Sequence, residues 1–182
     1  MRTLHGLGAL ACLLVVAAVA APPESVKVTV RIAGAHDEEC VAVLRDAVAK
    51  TPGFKLPVAE IKAGEPPRCF SPLLPLEISD PAKANLGKLA QAVAAAKTPH
   101  RQEFPPRLLL VLFGEVDETA VNGLRAALHN VPGIEPDAGG SIGGFPNEGT
   151  FWVRLEGDGQ ATLTDIRRAL KEGMVRATLA KQ

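Results

Sequence analysis

The chain has 182 residues, and its 20 Lys and Arg balance 20 Asp and Glu. Aromatic residues make up 4 %, with one tryptophan, Trp152, and no tyrosine. Nucleic-acid binding draws on clustered basic residues and stacking aromatics, and this composition sets that class aside.

Residues 1–21 carry a basic start at Arg2, an apolar run from Leu7 to Val19, and the small residues Ala18, Ala20 and Ala21. This is the pattern of a secretory signal peptide. The run is shorter than the ~20 residues a membrane span needs, so no membrane attachment is expected after cleavage, and Cys12 leaves with the signal; the alternative is an uncleaved anchor. The remaining chain of about 160 residues is long enough for one large or two small domains. It is expected to be exported, periplasmic or secreted, into an oxidising compartment. There it keeps two cysteines, Cys40 and Cys69.

Val26 to Ala33 alternates apolar and polar residues, the period of a half-buried strand. Asp37 is a good N-cap, Glu38 and Glu39 suit the positive end of a helix, and Val41, Leu44, Ala47 and Val48 form an apolar stripe. Thr51-Pro52-Gly53 stops that helix. A second strand is expected over Phe54 to Ile61. A Gly- and Pro-rich turn over Lys62 to Ser71 holds Cys69, and a third strand covers Leu73 to Ile78. Asp80 and Pro81 open an Ala-rich helix to Ala96. Lys97 to Pro106 reads as a linker with a short edge strand at Arg101 to Phe104. Arg107 to Phe113 is a further strand, followed by a helix over Glu118 to Asn130. Glycines make Ile134 to Gly149 a loose hairpin loop. Phe151 to Glu156 is a strand, Leu163, Ile166, Leu170 and Met174 mark a last helix, and Val175 to Leu179 forms a closing strand.

Val30–Phe54 and Leu110–Ile134 align without a gap, eighty residues apart, and share nine identities. Among them are Gly34/Gly114, Asp37/Asp117, Leu44/Leu124, Arg45/Arg125 and Pro52-Gly53/Pro132-Gly133. A repeated unit reports architecture. Each half reads strand-helix-strand-strand-helix-strand, so the expected fold is α+β: two ferredoxin-like βαββαβ units in tandem. The expected boundaries are a signal peptide over 1–21, one domain over 22–100, a linker over 101–106 and a second domain over 107–182. Alternatively, Arg107 to Phe113 serves both halves and fuses them into one sheet.

The strand, the glycine, the helix and the Pro-Gly stop, with eighteen residues from Gly34 to Pro52 and from Gly114 to Pro132, resemble heavy-metal-associated domains, the family of copper chaperones and metal-ATPase N-terminal modules. The resemblance implies the ferredoxin-like fold. The family's two thiolate positions fall on Asp37 and Cys40 in the first half and on Asp117 and Ala120 in the second. Its methionine falls on Ala35 and Glu115. One carboxylate with one thiolate is a poor site for a soft ion, and the second half has no soft ligand.

Two readings of the Cys40 end stand side by side. In a split βαβ unit the loop before the first helix and the hairpin holding Cys69 lie at one end of the sheet. A Cys40–Cys69 disulfide is then within topological reach and would contribute roughly 3–4 kcal/mol. The other reading is a metal site of His36, Asp37, Cys40 and Cys69, suited to Zn or Cu(II), with the Cys40 thiol pKa lowered by the helix N-terminus. The bland alternatives are a solvated His36 and an Asp37 that only caps. No catalytic motif surrounds His100, His129 or the Glu38-Glu39 pair, and the Gly139–Gly149 segment lacks the Gly-Lys-Ser/Thr ending of a phosphate loop. The expectation is an exported, non-catalytic module without a cofactor that binds an unidentified protein partner and has largely lost its metal site. The alternative is a heavy-metal-binding protein that takes Cu or Zn at the Cys40 end.

Overall fold

A computed structural model describes residues 25–65, 69–78, 84–99, 105–136, 140–156 and 160–179. The signal segment with Cys12, the helix start at Asp80 and Pro81, His100 and the edge strand at Arg101 to Phe104 lie outside the described residues.

The fold is α+β; the described residues form four helices on a six-stranded antiparallel sheet. In chain order the elements are β1 (Val26–Ala33), α1 (Glu38–Ala49), β2 (Phe54–Lys55), β3 (Leu74–Ile78), α2 (Leu86–Ala94) and β4 (Arg107–Phe113). They continue with α3 (Glu118–Leu128), β5 (Ile142–Phe145), β6 (Thr150–Arg154) and α4 (Leu163–Glu172). The sheet runs β2-β3-β1-β4-β6-β5. Exchanging β1 with β4, β3 with β6 and β2 with β5 reproduces this order, and such an arrangement is compatible with ferredoxin-like folds.

At the centre β1 pairs with β4, from Thr29 opposite Val111 to Ala33 opposite Arg107. The two similar segments therefore share one sheet and one core, as the fused alternative requires. Val28, Val30 and Ile32 of β1 and Leu108, Leu110 and Leu112 of β4 point to the helix side and are fully buried or nearly so. Leu109 and Val111 point to the other side, yet are only 3 % and 1 % exposed. Burial on both faces explains why β4 is a continuous apolar run while β1 alternates. Each such side chain contributes about 2 kcal/mol of burial.

Capping sets the helix starts. Asp37 and Asp117 have extended backbones, and each carboxylate accepts the N–H three residues on, from Cys40 at 2.9 Å and Ala120 at 2.6 Å. Asn85, not Asp80, caps α2; its Oδ1 accepts from Gly87 and Lys88. Thr162 caps α4 through Asp165 N–H. Asn85 and Thr162 also pair as an antiparallel bridge, with Leu86 N–H on the Ala161 carbonyl at 2.8 Å, so the starts of α2 and α4 meet.

Several expected elements come out differently. The second strand is only Phe54–Lys55, because Pro57 cannot donate to a ladder and a 3-10 turn follows at Val58–Glu60. The expected loose loop contains strand β5. Its glycines are there for space: a Cβ on Gly143 would fall 2.5 Å from Trp152 Cζ2. Met174 lies beyond α4 with a left-handed backbone, φ +51°, and is 88 % exposed. It occupies the C′ position of a Schellman motif, with Met174 N–H on Lys171 O and Val175 N–H on Leu170 O. The closing strand reduces to one bridge, Thr178 with Phe113.

Candidate functional site

The Cys40 end is built where β1 leaves the sheet. Gly34 turns the chain with φ +88°, and Asp37 starts α1 three residues later. In the matching loop of the second half, Gly114 does not need a positive φ. Space requires it, since a Cβ there would lie 2.8 Å from the Arg176 carbonyl oxygen. The same residue is thus kept for two different reasons.

His36 is exposed in the loop. Asp37 is half-buried, with one carboxylate oxygen committed to the Cys40 N–H. Cys40 is buried on the inner side of α1. Burial pushes its thiol pKa up, and the hydrogen bond and negative charge of Asp37 push it the same way. The backbone around His36 and Asp37 acts in the opposite direction but is outweighed. The lowered thiol pKa expected at a helix N-terminus is therefore reversed, first by burial of the sulfur and then by the carboxylate that the cap puts beside it.

Cys69 is buried at the end of the β2–β3 connection. Its backbone is left-handed, φ +45°, and its carbonyl accepts both Gly34 N–H and Ala35 N–H at 3.1 Å. This ties the residue carrying the second sulfur to the loop that precedes α1. Cys40 and Cys69 both stand as thiols, with no bond joining them. Among the described residues, which include His36, Asp37, Cys40 and Cys69, no three His, Cys, Asp or Glu side chains gather where they could hold a metal ion.

The repeated arginine has a role that helix periodicity does not reveal. Arg45 donates to the carbonyls of Val58 and Ile61, at 3.1 Å and 2.6 Å, and pairs with Glu38. Arg125 reaches the Ile142 carbonyl at 3.4 Å and Asn122 Oδ1 at 3.0 Å. Each pins the chain that follows at the sheet edge to its own helix. The only signal in the sequence was the identity of the two arginines.

Among the described residues, the sheet face opposite the helices carries a second concentration of charged and aromatic side chains. Register sets Arg31, Leu109 and Arg154 in one cross-strand row, with Arg107 beside Ala33 and Trp152 beside Val111. Arg31 donates to Glu148 at 2.7 Å, and its guanidinium carbon lies 5.3 Å from the centre of the Phe145 ring. Phe145 meets Phe70 edge to face at 5.7 Å. Arg154 pairs with Glu156. Loops from both halves thus converge over β1 on a half-buried arginine. Sequence reasoning missed this cluster because Arg31, Phe70 and Phe145 lie far apart along the chain.

No helix among the described residues is long and apolar enough to cross a membrane. No protein-family model, curated protein or solved structure matches this chain.

Proposed function

We propose that this chain is an exported, non-catalytic binding module of two ferredoxin-like units, a relative of heavy-metal-associated domains in which a capping carboxylate has replaced one metal-gripping sulfur. A ferredoxin-like unit orders its strands fourth-first-third-second. The observed order suits two such units, each using the first strand of the other as its own fourth. The loss of the metal function is supported by the capping role of Asp37 and the raised pKa of Cys40.

The module binds a protein partner at the helix-free face, and the partner segment is acidic. The observation that carries this reading is the arginine row: Arg31 and Arg154 flank Leu109 on three adjacent strands, with Arg107 next to them and Trp152 at the side. Half-buried guanidinium groups among aromatics suit carboxylates; Glu148 and Glu156 occupy Arg31 and Arg154 in the chain alone, and the partner's carboxylates exchange with them. The test is titration of the full chain with polyglutamate and polylysine peptides, followed by fluorescence of Trp152, the single tryptophan. Polyglutamate binds, weakens with salt, and binds less well to Arg107→Ala. No response to polyglutamate, or an equal response to polylysine, contradicts the proposal.

The second reading, a Cu or Zn protein, draws on one observation: the Cys69 carbonyl is bonded to the loop before α1, which brings both thiol-bearing residues to one end of the sheet.

A further inference from the structure

Two residues that local backbone rules disfavour line one cavity. Gly123 sits inside α3, where alanine would stabilise the helix. Packing does not require it, since a Cβ there would meet nothing within 4 Å. Met174 is the reverse case. It occupies the left-handed C′ position after α4, where glycine is favoured, and holds its thioether side chain 88 % exposed. The preceding Gly173 cannot exchange roles with it, because a Cβ at Gly173 would fall 2.6 Å from Ala127 Cβ.

Both residues face a cavity of about 330 Å³ between the first turns of α3 and the segment that follows α4. That volume falls within the range of small-molecule sites. Val175 and Ala120 supply further apolar lining above the buried Phe151 ring, and Glu115, Asp117, Thr119 and Arg176 form the polar part. A missing side chain opens the cavity, and an exposed methionine with a left-handed backbone stands at its rim. Departures from local preference that converge on one place mark function more often than chance.

We propose that this cavity binds a small aromatic amine. The ring lies against Val175 and Ala120 under the Met174 side chain, where sulfur–aromatic contact favours it. The ammonium faces the polar lining, in which Glu115 and Asp117 stand against Arg176. The site is independent of the partner face: it belongs to the helix layer, and neither proposal requires the other.

The test uses the full chain labelled with ¹³C at its methionine methyl groups. There are two methionines, Met1 and Met174, so one signal reports the cavity directly. The probes are 2-phenylethylamine, its neutral counterpart 2-phenylethanol and its anionic counterpart phenylacetate. The Met174 signal shifts saturably with the amine, less with the alcohol and least with phenylacetate. Gly123→Leu fills the cavity and abolishes the shift. Calorimetry on Met174→Gly gives an affinity lower by about tenfold together with a higher unfolding midpoint, which separates the site from the fold. Glu115→Gln reduces the preference for amine over alcohol. No saturable shift with the amine, tighter binding of phenylacetate, or unchanged affinity in both Gly123→Leu and Met174→Gly overturns the proposal.

Discussion

Cys69 and Gly149 hold the same place in the two halves of the sheet. Each has a left-handed backbone, φ +45° and +60°. Each presents its carbonyl to the glycine that ends a central strand, Cys69 to Gly34 N–H at 3.1 Å and Gly149 to Gly114 N–H at 3.0 Å. Each is followed by the residue opposite the end of that strand, Phe70 against Ala33 and Thr150 against Phe113. A cysteine therefore stands where the other half shows glycine to be the unstrained choice.

The first expected outcome follows from that relationship. Cys69→Gly and Cys69→Ala both remove the thiol, but only glycine relaxes the backbone. Cys69→Gly should be more stable than Cys69→Ala by about 1 kcal/mol, read from urea midpoints under reducing conditions. Equal midpoints would mean that the left-handed turn carries no strain.

The paired caps can be separated by chemistry. Asp37→Ala and Asp117→Ala each lose one cap bond and should each cost about 1 kcal/mol. Only Asp37 also touches a thiol. In a Cys69→Gly background, Asp37→Ala should speed modification of Cys40 by a thiol reagent at fixed pH, since the carboxylate that raises its pKa is gone. Asp117→Ala in the same background should leave that rate unchanged.

Cys40 also sets an alkaline limit. Its pKa is raised in the folded chain, so above the ordinary thiol value of about 8.5 the unfolded chain releases a proton that the folded chain retains. The stabilisation is complete below that pH and is lost as pH rises through the folded-state pKa. Wild type should therefore lose more stability between about pH 7 and pH 10 than Cys40→Ala, whose alanine has a precedent at Ala120. Parallel curves for the two proteins would place the thiol in an ordinary environment.

Gly143 has a different task from Gly123. A methyl group at Gly143 would collide with the Trp152 ring at Cζ2 and Cε2. Gly143→Ala should destabilise by about 1–3 kcal/mol and change the emission of Trp152. An unshifted spectrum with unchanged stability would show that the ring moves aside freely.

Much of this architecture was legible along the chain, and the gaps have physical causes. Asp37 and Asp117 read as caps, and Pro52-Gly53 and Pro132-Gly133 as stops, because each signal is confined to a single turn. The glycines of those stops have φ +86° and +79°, as the turn needs. The pairing of β1 with β4 was open, because register between strands eighty residues apart is not written in the periodicity of either. Strand β5 reads as loop because Gly143 and Gly144 look like flexibility without Trp152 and Val116, whose side chains fill the space above them. Met174 follows Leu170 by four residues and so extends the apparent stripe of α4, although the helix ends at Glu172. At the Cys40 end the sequence singles out His36, Asp37, Cys40 and Cys69, which do not gather as a metal-holding group among the described residues. The opposing effects on the thiol, of helix terminus against carboxylate and burial, could be weighed only once Cys40 was seen to be buried beside Asp37.

The reading of a binding module that has given up its metal is tested most directly by metal uptake. The reduced full chain is titrated with Cu(I) and with Zn(II) against a competing chelator, and bound metal is measured after desalting. The expected result is no stoichiometric retention of either ion, with wild type indistinguishable from Cys40→Ala. One equivalent held by wild type and lost in Cys40→Ala would contradict it.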